Sequence, residues 1–277
     1  MIIGFLGKGG SGKSTLATIF TKYLLETGNN VLAIDADHNM DLSYNLGVQE
    51  DIPYFGTSVS NIKEYVGIGG AKSVREVFLV GTQNRFNIFP NDDFTKNYAV
   101  LKADNLQVMV AGPHTEEIME GDKCSHSLFT SLKIYLPFLD LKEKECIVID
   151  EKAGMDPVGT MVPAGFDVVV ISVEPTRHST KTANQISQGL SKYGTPYIFV
   201  GNKITSDADI EFLNNNLWQK PVAFIHFDIA KTTPFESTLS QKEFESLEII
   251  FKKAQELKTS SSPREKRATN FWSRNTL

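Results

Sequence analysis

A glycine-rich octapeptide near the start of the chain has the composition and spacing of a phosphate-binding loop. It reads Gly7-Lys8-Gly9-Gly10-Ser11-Gly12-Lys13-Ser14 and fits the pattern G-x-x-x-x-G-K-[ST]. Glycines allow successive backbone N–H groups to turn toward one anion, and the N-terminus of the following helix adds partial positive charge. We expect Lys13 to contact the outer phosphates of a nucleotide, the Ser14 hydroxyl to ligate Mg²⁺, and Thr15 to continue the binding segment.

Acidic residues follow two of the apolar runs that read as buried strands. The first run, 31–35, leads into Asp37 and Asp41, and a later apolar run ends in Asp150. Because open α/β sheets bind ligands at the carboxyl ends of their strands, carboxylates there can serve magnesium or a reacting water. After a phosphate loop, we interpret Asp150 as the acid that holds the magnesium shell. For Asp35 and Asp41 a second interpretation stands beside this one, since Asp often caps a turn.

These residues need a sheet whose strands alternate with helices. Short aliphatic runs alternate with amphipathic segments along the chain, which is typical of a parallel sheet with helices on both faces. The predicted strands are residues 2–6, 31–35, 87–89, 106–111, 146–150, 168–173, 197–202 and 222–225. The predicted helices are residues 13–26, 73–79, 127–139, 179–192 and 242–257. The sequence therefore predicts a single-domain α/β P-loop NTPase fold over residues 1–257, with a mostly parallel sheet.

The charge of the chain is unevenly distributed. Its net charge is −5, which argues against a surface that binds nucleic acid as a whole. From Lys258 onward the charge is +4, so the remainder carries −9. Because a run of Thr and Ser precedes Pro263, we expect residues 258–277 to form a basic, disordered tail. Because the chain as a whole is negatively charged, nucleic acid is not an expected partner.

Cysteine content and hydropathy indicate a cytoplasmic protein. Two cysteines are too few for a disulfide scaffold. The apolar run from Met1 to Leu6 has no basic leader and ends in the glycine loop, so it reads as a buried strand and not as a signal peptide. No apolar stretch approaches the roughly 20 residues that a transmembrane helix needs. We therefore expect a protein of the reducing cytoplasm that is neither secreted nor integral to a membrane.

The first lysine of the loop is a more specific signal. The string from Lys8 to Thr15 resembles the deviant Walker A motif of the family that contains MinD, ParA, the nitrogenase iron protein and the arsenical pump ATPase. The resemblance implies that Lys8 crosses a dimer interface to the partner's nucleotide, so that ATP joins two subunits face to face. It also implies that Asp37 orients the attacking water and that Asp41 contacts magnesium through its shell. Lys8, Lys13 and Asp37 are thus the expected catalytic residues of a dimerising ATP hydrolase.

The residues at the end of a later predicted strand are suited to binding an adenine base. The strand 197–202 closes with Asn202 and Lys203, and related proteins use such an asparagine to hydrogen-bond the base. A guanine pocket usually reads N-K-x-D, whereas this chain has Thr205 at the last position. The sequence therefore favours ATP with Mg²⁺, bound by the phosphate loop together with Asn202 and Lys203.

Two strings in the second half resemble CooC-type ATPases, which insert nickel during the maturation of carbon monoxide dehydrogenase. They are D-x-x-A-G from Asp150 and V-E-P-x-x-x-S-x-x-T-A at 173–183. Where CooC-type proteins carry C-x-C and hold one metal between two subunits, this chain has Cys124 and His126. Doubled by a two-fold axis, the pair forms a Cys2His2 set that suits tetrahedral Zn²⁺ and does not exclude Ni²⁺. The implied function is metal insertion or maturation of a client metalloenzyme; the other interpretation of the pair is a loop without metal.

Two other functions stay open at this point. A positioning or partition ATPase of the MinD and ParA type would bind membrane or DNA, and the cations and aromatic residues after Pro263 are its best support. A solvated terminus explains the same residues more simply, so membrane binding is not favoured. A reductase like the nitrogenase iron protein needs two cysteines at the dimer axis, but Cys146 lies in an apolar strand and reads as core.

Overall fold

A single sheet organises the part of the chain that the computed structural model describes, residues 1–48, 52–113, 120, 128–226 and 235–274. Its strands are β1 (Ile2–Gly7), β2 (Asn30–Ala36), β3 (Val100–Ala103), β4 (Leu106–Val110), β5 (Glu145–Glu151), β6 (Val168–Val173), β7 (Tyr197–Ile204) and β8 (Ala223–His226). Within the described ranges the strand order is β3-β4-β2-β5-β1-β6-β7-β8. Only β3 is antiparallel to its neighbour; the other pairs are parallel. The predicted α/β fold with a mostly parallel sheet is confirmed.

Helices cover both faces of this sheet. They are α1 (Lys13–Glu26), α2 (Asp41–Asn45), α3 (Val59–Tyr65), α4 (Val74–Val80), α5 (Thr130–Tyr135), α6 (Asp156–Thr160), α7 (Arg177–Tyr193), α8 (Asp207–Asn216), α9 (Gln241–Ser260) and α10 (Arg264–Arg274). Because side chains alternate along a strand, β1 serves two cores. Ile3 and Phe5 pack in the core that includes α1, α2 and α9, whereas Ile2 and Leu6 pack in the core that includes α3, α4, α5, α7 and α10. Among the described residues, no helix is both long and apolar enough to span a bilayer.

The differences from the predicted elements have local causes. The strand predicted at 87–89 is wrong: Ile88 forms only an isolated bridge outside the sheet. The edge strand β3 was not predicted, because three of its four residues are exposed and show no apolar alternation. The helix predicted at 127–139 is shorter, since α5 spans only Thr130–Tyr135. Helix α8 was also missed, although Ser206 and Asp209 form a capping box that the sequence displays.

The C-terminal segment corrects a second expectation. Residues 258–274 are not a disordered tail: α9 continues to Ser260, and α10 follows after a short turn. Ala268 is fully buried in the core, and Trp272 stacks on Phe78 with ring centroids 6.3 Å apart. Phe271 meets Tyr193 edge to face at 5.2 Å. The apolar positions of α10 are spaced i, i+3 and i+4, which is the spacing of one helix face, but the surrounding charges hid this short pattern.

Two arginines attach α10 to the amino ends of the strands. Arg264 donates to the Leu136 carbonyl at 3.1 Å, and its guanidinium lies 3.3 Å from the buried Asp167 carboxylate. The Arg267 side chain is only 6% exposed and donates to the carbonyl of Phe166. These cations therefore satisfy buried acceptors of the chain itself.

The docking of α10 is tested by two variants that each place one aspartate on this helix. Ala268→Asp buries an unpaired charge, so we expect a loss of roughly 3 kcal/mol in the free energy of unfolding, or detachment of the helix. Asn270→Asp lies on the exposed side of the same helix and should change stability by less than about 0.5 kcal/mol. Urea unfolding followed by circular dichroism measures both. Equal stability of the two variants would contradict the docked helix.

Candidate functional site

The glycine loop lies between β1 and α1, at the carboxyl edge of the sheet. It closes on itself, because the Ser11 amide donates to the Lys8 carbonyl at 3.0 Å. Gly12 adopts φ +81°, and a Cβ added there would lie 2.6 Å from the side-chain nitrogen of Asn202. Both the left-handed backbone and the close approach therefore require glycine at this position. The Gly7 carbonyl accepts from the Gly154 amide at 2.8 Å, which joins the loop to the segment after β5.

Lys13 lies between two carboxylates from distant parts of the chain. Its ammonium nitrogen is 3.6 Å from an Asp37 oxygen and 4.0 Å from an Asp150 oxygen. The Lys13 side chain is 6% exposed, and those of Asp37 and Asp150 are 8% and 0% exposed. The structure thus brings together three of the predicted site residues: Lys13 and Asp37 follow β1 and β2, and Asp150 lies near the end of β5. Such a buried cation can exchange its carboxylate partners for the phosphates of a nucleotide.

Asp150 has the environment of a metal-shell ligand. Among the described residues neither of its carboxylate oxygens has a hydrogen-bond partner of good geometry, although the Ser14 hydroxyl lies close enough to lower the Asp150 pKa. Burial raises the pKa of Asp150 to about 7, although the Lys13 ammonium acts in the opposite direction. Ser14, the expected magnesium ligand, is buried in the first turn of α1. Buried acceptors without donors, beside a hydroxyl and a phosphate loop, fit Mg²⁺ together with its waters.

Glu151 is a buried acid of this site that the sequence analysis did not single out. It is 1% exposed, and its Oε1 atom has no hydrogen-bond partner among the described residues. Burial, reinforced by the charges of Asp150 and Asp37, raises the pKa of Glu151 to about 8. The signal was present, because an acid follows Asp150 directly. The burial of Glu151 depends on tertiary packing, which its position directly after Asp150 does not reveal.

The acids at the end of β2 and just beyond it have different roles, one structural and one at the site. Asp35 accepts from the amides of Ser43 at 2.8 Å and Asp37 at 3.2 Å, so it caps the turn before α2. Burial raises the pKa of Asp35 to about 6. Asp41 begins α2 and is exposed, and its predicted contact with the magnesium shell stays a prediction. Of these acids, the structure therefore places Asp37 at Lys13.

His38 links the loop after β2 to the end of β4. Its Nδ1 atom is 3.1 Å from the Gly112 carbonyl oxygen, and its ring packs on Phe129 at 5.5 Å. Because a carbonyl only accepts, Nδ1 carries the proton in this contact. This contact joins the segment that carries Asp37 to Gly112.

The predicted transition-metal pair lies outside the described residues. Cys124 and His126 both fall in the undescribed stretch 121–127, and their metal site stays a prediction. Within the described ranges, no group of three or more His, Cys, Asp or Glu residues could hold a metal ion. Cys146 is 3% exposed in β5, so its interpretation as a core residue is confirmed.

The residues predicted to bind adenine contact the phosphate loop itself. Asn202 is 6% exposed, and its amide nitrogen is 2.9 Å from the Ser11 carbonyl oxygen. The Lys203 ammonium donates to the Gly10 carbonyl, and the Lys203 backbone adopts φ +59°. Their contact with a base therefore stays a prediction. Thr15 is exposed in the first turn of α1, at the open side of the loop.

Lys8 has a partner that the sequence analysis did not identify. Its ammonium lies 3.0 Å from Glu174 Oε1, at the end of β6. Glu174 belongs to the V-E-P string, which was noted for its resemblance and not for this contact. The expected dimer-crossing lysine is therefore bound within its own subunit.

Comparison with known proteins agrees with this site. The family model of the CobQ/CobB/MinD/ParA nucleotide binding domain matches residues 2–233. An uncharacterised ATP-binding protein of Methanocaldococcus jannaschii is 31% identical over 229 residues, 81% of this chain and 87% of that protein. The carbon monoxide dehydrogenase accessory protein CooC of Rhodospirillum rubrum is 30% identical over 243 residues, 86% of this chain and 85% of that protein.

Solved structures show the same fold. The cell division ATPase MinD of Pyrococcus furiosus aligns with a TM-score of 0.63 and 22% identity, over 91% of this chain and 98% of that chain. A plasmid partition protein of Borrelia burgdorferi bound to AMPPNP aligns with a TM-score of 0.59 and 21% identity, over 91% and 96%. By its family match, its phosphate loop and its fold, this chain belongs to the CobQ/CobB/MinD/ParA family of nucleotide-binding domains.

Proposed function

We propose that this chain is a dimerising, cytoplasmic Mg-ATPase of the CooC type that inserts metal into, or matures, a client metalloenzyme. The observation that carries the ATPase part is Lys13, held beside Asp37 and Asp150 at the glycine loop. The 30% identity to the CooC protein of Rhodospirillum rubrum over 86% of this chain supports the maturation part.

The site residues have separable tasks in hydrolysis. Lys13 binds the outer phosphates and neutralises charge that develops as the phosphoryl group is transferred. Asp37 is nearly buried beside Lys13, where it can orient a water and accept its proton. Asp150 and Ser14 would hold Mg²⁺, which when bound neutralises charge on the phosphate oxygens. Most of the rate acceleration is then electrostatic, supplied by groups positioned before the nucleotide arrives.

The alternatives lose their main support. For a membrane- or DNA-binding positioning ATPase that support was a free basic tail, but Arg264 and Arg267 bind acceptors of the chain itself. A reductase of the nitrogenase iron protein type needs both cysteines at a dimer axis, and Cys146 is buried in β5. The maturation function therefore stays the proposal.

The phosphate-binding role of Lys13 is tested by Lys13→Ala. We expect Mg-ATP binding to weaken by about 100-fold or more, since a buried charged contact is typically worth about 3 kcal/mol. Isothermal titration calorimetry measures the affinity. Lys242→Ala, on the exposed first turn of α9, is the matched control and should bind like the wild type. Unchanged affinity of Lys13→Ala would exclude the proposed site.

The role of Asp37 is tested by Asp37→Ala. We expect turnover to fall by about 100-fold or more, because a positioned acid–base group typically contributes at least this factor. Affinity for Mg-ATP should stay within about threefold, since Asp37 acts on the water and not on the phosphates. Phosphate release and calorimetry measure the two quantities. Asp104→Ala, exposed before β4, is the control; retained turnover of Asp37→Ala would contradict the assignment.

The metal part is tested by light scattering and metal analysis with ATP, with Zn²⁺ or Ni²⁺, and with both. We expect one metal per ATP-bound dimer, because each subunit offers only two ligands. Cys124→Ser should lose this metal, whereas Cys146→Ala, which removes the thiol buried in β5, should retain it. A metal-free dimer for the wild type, unchanged in Cys124→Ser, would show that Cys124 and His126 bind no metal.

A further inference from the structure

One ion pair restrains the lysine that is expected to leave its own subunit. The Lys8 ammonium lies 3.0 Å from Glu174 Oε1, with the two side chains 38% and 16% exposed. Lys8 is the second residue of the glycine loop, and Glu174 directly follows β6. The contact therefore joins the phosphate loop to the neighbouring strand end.

The backbone of Glu174 is fixed by hydrogen bonds just before α7. The Glu174 amide donates to the Ser179 hydroxyl at 3.1 Å, and its carbonyl accepts from the Thr176 amide at 2.7 Å. Thr176 in turn caps α7, because its hydroxyl accepts from the Ser179 amide at 3.3 Å. Glu174 thus extends from a rigid helix start, whereas Lys8 has a long, flexible side chain.

A second cation shares the same carboxylate. The Lys203 ammonium is 3.8 Å from Glu174 Oε2 and also donates to the Gly10 carbonyl. If the Lys8 contact is lost, Glu174 keeps Lys203 as its counter-ion. Release of Lys8 therefore does not leave the Glu174 carboxylate unpaired. This arrangement makes the pair easy to open and keeps the glycine loop attached to β7.

We propose that Glu174 is a positioning residue that retains Lys8 within its own subunit and so sets the protein concentration at which nucleotide drives dimerisation. The proposal rests on the proposed dimerising function. In this closure the Lys8 side chain leaves Glu174 and extends to the phosphates bound by the second copy. Each subunit must therefore break its Lys8–Glu174 pair before closure, and nucleotide must supply the compensating interaction.

The size of the effect follows from the exposure of the pair and from two-fold symmetry. A partly exposed ion pair contributes only a modest free energy, but formation of a symmetric dimer breaks two such pairs. We therefore expect Glu174→Gln to lower the dimer dissociation constant by about 3- to 30-fold in a nonhydrolysable Mg-ATP analogue. Nucleotide affinity of the monomer should not change, because Lys8 acts on the second copy. A merely structural role of Glu174 would alter monomer affinity or stability instead.

The experiment is sedimentation equilibrium of the full chain with Mg-AMPPNP, for the wild type and five variants. Glu174→Asp keeps the charge and should dimerise more like the wild type than Glu174→Gln does. Glu211→Gln removes an exposed carboxylate of α8 and controls for net charge; it should match the wild type. Glu174→Gln in a Lys8→Ala background should bring no gain over Lys8→Ala alone, since the effect acts through Lys8.

A second experiment measures the availability of Lys8 directly in the nucleotide-free monomer. Acetylation of Lys8, followed by mass spectrometry, should be faster in Glu174→Gln than in the wild type, because a paired ammonium is less available. An unchanged labelling rate, or a dimer of Glu174→Gln as weak as that of the wild type or weaker, overturns the proposal while nucleotide-dependent dimerisation of the wild type still stands. If the wild type itself does not dimerise with nucleotide, the proposed function fails, and the restraint on dimerisation fails with it.

Discussion

The site depends on one buried cation beside several buried carboxylates. Lys13 is within 4.0 Å of Asp37 and Asp150, and burial raises the pKa of both Asp150 and Glu151. Desolvating charges costs several kcal/mol per ion unless they are well paired. The acids outnumber the lysine, so this cluster is incompletely compensated without a ligand. Binding of a magnesium nucleotide supplies both the missing cation and a new partner for Lys13. The charge balance of the buried carboxylates therefore depends on whether the site is occupied.

The backbone acceptors of the glycine loop are bound by three other segments of the chain. The Gly7 carbonyl binds the Gly154 amide after β5, the Ser11 carbonyl binds Ser172 in β6, and Asn202 binds the same carbonyl from β7. Rearrangement around phosphates must therefore shift these contacts together. His38 extends the connection to the end of β4. The phosphate loop, the segment after β2 and the ends of β4, β5, β6 and β7 are thus joined by direct contacts.

Features that leave a local sequence pattern could be predicted, whereas contacts between residues far apart in the chain could not. The phosphate loop, the strand that ends in Asp150 and the parallel sheet were predictable, because local patterns and their order agree. The pairing of Lys8 with Glu174 was not predictable, since 166 positions separate the two residues and an ion pair produces no periodic pattern in the sequence. Helix α10 was missed for a related reason: Ala268 and Trp272 form a short apolar face whose partner surface exists only after folding. Local composition suggested disorder, and tertiary packing overrode it.

The docked C-terminus bears on function as well as on stability. A basic segment can bind an anionic surface only if its cations are free, and Arg264 already lies 3.3 Å from Asp167. Releasing α10 would expose Ala268 and the Trp272 ring and would leave the buried Asp167 with less compensation, since its other cation, Lys258, is 3.9 Å away. A surface anion would have to offset all of these losses before any net binding. The cost of undocking therefore separates this chain from one that carries a free basic tail.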